Sequence, residues 1–308
     1  MDTMTDVEKL SEKRIAWERC LSSEDQNCVC QQLWHMIWNS GVYRVILKAW
    51  ELAPRTDKGV AQFNVPIAQF IDHTFWDSQI LATRRLDDSC DIKGKRGVYS
   101  LASVIKDVKK NVHLLTRRNI FAVEGLEYDL STATKRYNAL RSENRHNAID
   151  ELSGVSSNNR SPSDTVRKEV FDGLSRKMSQ ACEQVKIIAD KFVAHSATPE
   201  SRAQKEADTI ELELSDLTGA HEALCRTAKF LFWCILNRGL FVSPWGTAHP
   251  LALAYLDRPL VMPEYMAQLQ SEWDECFKQP EAWEPWPVSE VLAVGSSGQP
   301  QSQCRNAD

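Results

Sequence analysis

The sequence is poor in glycine: 12 in 308 residues, against an average of roughly 7%. Glycine-rich phosphate loops and turn-dense β-sandwiches both need more, so long helices become the default. Long apolar runs are also missing. The longest, Phe230 to Leu236, has seven residues, and a membrane-spanning helix needs about 20. The opening MDTMTDVEKL has neither a basic nor an apolar region, so no signal peptide is expected. The chain reads as soluble and cytoplasmic, with no membrane partner. A net positive charge is lacking as well: the formal charge is −5, which excludes a uniformly basic surface. The nine cysteines are scattered and suit reduced, buried thiols. Cys28, Cys30 and His35 form a short cluster with no second pair at zinc-like spacing, so no metal is assigned. No cofactor motif is present.

What is there is helical periodicity. Helices are expected over about 5–21, 30–52, 66–88, 100–115, 129–147, 161–196, 216–238 and 263–277, separated by Pro, Gly and Ser/Asn clusters. In 30–52 the residues Leu33, Ile37, Val42, Ile46 and Trp50 recur at helical spacing. In 161–196 the apolar seam runs Phe171, Leu174, Met178, Ala181, Val185, Ile188, Phe192, His195, alternating steps of three and four. That pattern belongs to a helix packed between neighbours in a bundle. Ser161 is its expected N-cap, with Pro162 in the first turn. No segment alternates with period two, and the fold class is all-α. The expected organisation is an N-terminal helix (1–29), a helical bundle (30–240) with a flexible loop at 153–163, a Trp/Pro-rich helical extension (241–288) holding Trp245, Trp273, Trp283 and Trp286, and a disordered tail (289–308).

Two stretches carry candidate chemistry. His73, Asp77, Arg84 and Asp88 fall on one helical stripe, either as a solvated face or with Arg84 turned into the bundle. His195 ends the seam in the last turn of its helix, where the dipole favours imidazolium.

DKFVAHS (190–196), preceded by a long amphipathic helix, resembles the signature of the HEPN superfamily. RRLDDS (84–89), YSLASVIKDV (99–108) and LLTRRN (114–119) follow the same order. Asp77, Arg84, Leu86, Asp87 and Ser100-Leu101 are similar to the AbiU-like, abortive-infection branch. The resemblance covers roughly residues 30–200. It implies a bundle of four to five core helices, often dimeric, here with additional C-terminal helices. It also implies metal-independent endoribonuclease chemistry in phage defence or as a toxin, with a cognate antitoxin or partner protein. In that chemistry an Arg stabilises the phosphorane and a His moves protons during 2′-hydroxyl attack. The family spacing is Arg, four to six residues, His. Counting back from His195, the Arg positions hold Ile188, Ala189 and Asp190, so the strict motif is absent. Arg84 or Arg85 from the neighbouring helix could supply the guanidinium, Arg84 being the better match. The expected site is then His195 as acid/base and Arg84 on phosphate, with Asp77 and Lys191 as orienting neighbours. A literal match, Arg141 and His146, lies in the polar stretch RSENRHNAID. The missing Arg equally suits an inactive HEPN-like scaffold for RNA, nucleotide or a partner protein. A third reading is a helical interaction protein.

Charge is unevenly distributed. Lys93, Lys95, Arg96, Lys106, Lys109, Lys110, Arg117 and Arg118 are opposed only by Asp107. Eight bases less one acid give +7 over 26 residues, which leaves −12 for the rest. This run is either a solvated face or an RNA-binding surface.

Overall fold

The computed structural model describes residues 4–57, 59, 63–95, 97–129, 136–194, 196–240 and 263–278, without the side chains of 136–138, 272–273 and 275–278. His195, Arg96, Trp245, Trp283, Trp286 and the tail from 289 lie outside the described residues, as does the side chain of Trp273. The described residues form α-helices and short 3-10 and π turns, with no strand among them. The architecture is all-α. None of the described helices is long and apolar enough to cross a membrane.

The chain divides at Ala248/His249. In the first unit lie α1 (Asp6–Leu21), α2 (Val29–Glu51), α3 (Val65–Leu86), α4 (Leu101–Lys110), α5 (Arg117–Glu124), α6 (Arg136–Ser153), α7 (Lys168–Ile188), α8 (Pro199–Ala203) and α9 (Leu214–Leu231). In the second, a 3-10 turn at Pro263–Tyr265 leads into α10 (Met266–Lys278). The termini follow the capping chemistry. Thr5 and Glu8 form a capping box on α1, Asn64 caps α3 with Pro66 in its first turn, and Ser100 and Thr116 cap α4 and α5. Each satisfies an otherwise orphaned N–H. Gly125 ends α5 in the left-handed conformation at φ 62°, which glycine adopts without strain.

The pair α7 and α9 is the spine of the bundle. Helix α3 packs on both, α2 packs on α9 and α3, α4 packs on α7, and α1 lies against α4 and α5. On α4, Leu101, Val104, Ile105 and Val108 are buried, and the same spacing turns its lysines outward. On α2, Leu33 is buried as expected, but Met36 and Tyr43 take the inner positions further along and Val42 is exposed.

Helix α7 departs from expectation at both ends. It begins at Lys168, not near Ser161. Residues 161–164 form a turn instead, closed by Asp164 N donating to Ser161 O (3.0 Å), and Thr165 bridges to Thr116; Arg117 N donates to Asp164 O (2.7 Å), Arg118 N to Pro162 O (3.0 Å) and Val166 N to Leu115 O (3.1 Å). Asp164 accepts from the Arg117 side chain rather than serving a helix start. At the other end, a π turn spans Ala189–Val193, closed by Ala194 N to Ala189 O at 2.7 Å. The wider turn shifts the inner face onto Ala189, so Phe192 is 43% exposed with the Arg202 guanidinium over its ring. A second π turn, Phe232–Leu236, continues α9. It stops at left-handed Asn237 rather than at Gly239.

His221 of α9 is buried and its Nε2 has no hydrogen-bond partner. Burial, with a smaller contribution from Arg44, lowers its pKa from 6.5 to about 4. The unfolded chain therefore takes up a proton that the native state refuses. Stability is complete above the unfolded value and falls as pH drops toward the folded one. Lowering the pH from about 7.5 to about 5 is expected to remove roughly 2 kcal/mol through His221. Urea unfolding at the two values measures it. His221→Leu should flatten the dependence; an unchanged slope would contradict this account.

Candidate functional site

Arg84 sits in the last turn of α3 and reaches the π turn after α7. Its Nε donates to Asp190 Oδ1 at 2.6 Å, and its NH1 lies 3.6 Å from Asp88 Oδ2. The hydrogen bond to Asp190 is the main reason its pKa rises. The guanidinium of Arg84 is thus held by Asp190, five residues before His195 in the sequence. Lys191 donates to Ser201 Oγ at 2.8 Å. Asp77 and His73 are exposed on α3. Asp77 lies two turns from Arg84, about 10 Å along the axis, and is not part of this group. Arg85 is exposed.

The resemblance residues between α3 and α4 are structural. Leu86 and Leu101 are fully buried, and Ser100 and Ser103 both donate to the Asp88 carbonyl. Asp87 is 4% exposed. Its Oδ2 forms an ion pair with Lys186 Nζ at 2.7 Å and its Oδ1 accepts from Ser179 Oγ at 3.2 Å, tying the end of α3 to α7.

Around that tie runs a cleft of about 470 Å3 between the end of α3, α4 and α7. From α4 come Lys106, Lys109 and Lys110, and from α7 Lys168, Ser175, Ser179 and Lys186, with Ser89 between. On α7 these residues span 18 positions, about 27 Å. The rim lysines meet carboxylates: Lys106 (3.0 Å) and Lys110 (3.6 Å) share Asp91, and Lys109 pairs with Asp172. These contacts lower the pKa of Asp91, chiefly through Lys106, and of Asp172, chiefly through Lys109. A second cleft, of about 500 Å3, shares Ser179 and Lys186 and continues to Arg176, Asp190, Lys191 and Lys205. The lysine-lined groove thus leads to the residue that holds Arg84.

The basic run divides in two. Lys93, Lys95 and Arg118 are exposed, and Lys106, Lys109 and Lys110 line the cleft. Arg117 must be withdrawn as an RNA ligand, because its side chain is 0% exposed. It pairs with Asp150 (2.7 Å) and Asp164 (2.9 Å) and donates to His146 Nδ1 (3.0 Å). An arginine cannot accept, so His146 Nδ1 does; His146 Nε2–H then donates to the Tyr128 carbonyl at 2.9 Å. Burial, reinforced by Arg117, lowers the His146 pKa despite that hydrogen bond. The literal Arg141/His146 match forms no joint site. Five residues turn an α-helix by about 500°, which leaves Arg141 exposed and His146 buried.

The α7 contribution to the cleft escaped the sequence reading, which followed the apolar seam of that helix. Its signal was present: Lys168, Ser175, Ser179 and Lys186, at steps of seven, four and seven, form a polar stripe. Among the described residues no cluster of His, Cys, Asp or Glu is placed to hold a metal ion. Comparison of the chain with protein-family models, curated proteins and solved structures finds no match.

The Arg84–Asp190 pair is about one-third to one-half exposed, and pairs of that kind contribute about 0–1 kcal/mol. Arg84→Ala should therefore lower the unfolding free energy by less than about 1 kcal/mol, read from urea midpoints. A loss of several times that would make Arg84 a structural residue.

Proposed function

We propose that this chain is an RNA-binding protein of HEPN-like, AbiU-like type, which holds the phosphate backbone along the groove between α4 and α7. The observation that carries this reading is the cleft itself, with five lysines and three serines on its walls. At about 27 Å along α7 it is long enough for several consecutive nucleotides. Asp91 and Asp172 do not block it. Asp91 is well exposed and Asp172 partly so, such pairs are weak, and a phosphate can take the place of either carboxylate. The resemblance over residues 84–119 and 190–196 points to the same ligand. Each phosphate neutralised on a single strand contributes about −0.7 to the slope of log affinity against log salt. Four rim lysines give a slope of about −3. The triple variant Lys106→Glu, Lys109→Glu, Lys110→Glu should weaken binding at least tenfold and flatten that slope to about −1. Salt titrations by fluorescence anisotropy measure both, and unchanged binding would end the proposal.

A second reading, metal-independent RNA cleavage, is favoured by the guanidinium of Arg84 beside Asp190. In it Arg84 stabilises charge on the phosphorane, His195 transfers protons, and Lys191 orients. Expression of wild type, Arg84→Ala and His195→Ala, scored by growth and RNA integrity, tests it. Wild type should degrade RNA and both variants should not; equal outcomes for all three would remove this reading and leave the binding one intact.

A further inference from the structure

We propose that the cleft between α4 and α7 prefers a phosphate monoester, such as a terminal phosphate, over the internal phosphodiesters of a strand. The inference rests on the RNA-binding reading of the same cleft and adds which phosphate it selects. The charges of the cleft carry it. Lys186 is committed to the buried carboxylate of Asp87, so the floor is neutral. Lys106, Lys109, Lys110 and Lys168 remain on the walls. Asp91, shared by Lys106 and Lys110, and Asp172, held by Lys109, are the carboxylates paired with them. For a first anion entering while both carboxylates are in place, four cations against two anions leave a surplus of two positive charges. A phosphate monoester carries about −1.5 to −2 near neutral pH, and a phosphodiester carries one negative charge. The monoester matches the surplus; the diester leaves half of it uncompensated.

The remaining donors suit three terminal oxygens. Ser179 is spent on Asp87, but Ser89 and Ser175 also line the cleft. Ala102 and Ile105 of α4 line it too and bring apolar surface beside the ammonium groups, which strengthens charge-assisted hydrogen bonds. Lys168 is the first residue of α7, whose N-cap Arg167 makes no side-chain capping bond. The positive end of a 21-residue helix therefore adds to the field beside the lysines.

The source of the monoester is either a strand end or a free nucleotide, and one set of titrations separates them. A short single-stranded RNA of one sequence is prepared with a 5′-phosphate, with a 3′-phosphate, and with hydroxyls at both ends. Affinities are read by anisotropy, with uridine, uridine 5′-monophosphate and inorganic phosphate as competitors. The strands bearing a terminal phosphate should bind about tenfold tighter than the unphosphorylated strand. Lys168→Gln and Lys109→Gln should each abolish that difference, weakening the terminally phosphorylated strands by about tenfold more than the unphosphorylated one. Unchanged unfolding midpoints show that the variants are folded. Displacement by uridine 5′-monophosphate and not by uridine, at concentrations matching the strand, identifies a nucleotide ligand; resistance to it identifies a strand end. Equal affinity of all three strands overturns the monoester inference and leaves the RNA reading standing. Binding by none of them overturns both.

Discussion

The bundle is organised around a guanidinium that water cannot reach. Taking an unpaired arginine out of water costs several kcal/mol, and removing one partner of a buried pair typically costs about 3–5 kcal/mol. Arg117 must therefore be met from every side. Asp150 comes from α6 and Asp164 from the connector ahead of α7. His146 supplies a neutral acceptor and its own backbone carbonyl. Asp150 is shared with Arg160 (2.7 Å); burial pushes its pKa up, but hydrogen bonds from Arg160 and Arg117 outweigh this and hold it low. The stretch 153–163, flexible by composition, is fastened at Arg160. With the turn at 161–164 and the bridge at Thr165 tied to Arg117 and its neighbours, α7 starts at Lys168, itself one of the residues that line the groove. A buried structural arginine thus fastens the connector that leads into a wall of the groove, to which it contributes no atom.

A second arginine does similar work at the end of α9. Arg145 and Glu124 are both nearly inaccessible, 2.6 Å apart. Arg145 also donates to the Cys234 carbonyl and Arg14 to the Leu236 carbonyl, both at 3.0 Å. The second π turn leaves carbonyls that no helical N–H reaches, and two guanidiniums take them. Arg145 Nε and NH1 are left without partners, a cost set against that closure. Arg14, Arg117, Arg145 and Arg160 are thus spent on internal accounts. The positive charge presented to solvent around the groove is mostly lysine, whose flexible ammonium can exchange one anion for another.

Much of this was legible in the sequence. The helix starts near residues 5, 66 and 100 were legible, and the all-α class followed from periodicity and scarce glycine. The start of α7 was not, because Ser161-Pro162 is a sound local helix start that a distant arginine overrides. The π turn at Ala189 was not, because a regular seam through Phe192 to His195 is what an unbroken helix would show. The burial of Arg117 could have been inferred: Ile120 and Phe121 follow it at three and four positions and are buried, so it shares their face. Arg145 and His146 stand in the same relation to Ile149. A charged residue in register with apolar ones is a candidate core ion, whatever the charge of the run that contains it.

The Arg84 position is different in kind. Its pair with Asp190 is accessible to water, so separating the two costs little. An anion arriving in the adjoining cleft competes with Asp190 for a guanidinium already held at the right end of α3. Because Asp190 belongs to the π turn rather than to α7 proper, its carboxylate can move without unwinding the α7 seam, where Met178, Cys182 and Val185 are anchored in the core. Strong pairs fix the scaffold and weak pairs line the groove. With that division of strength, a pair at the surface can open while the buried network holds the helices in place.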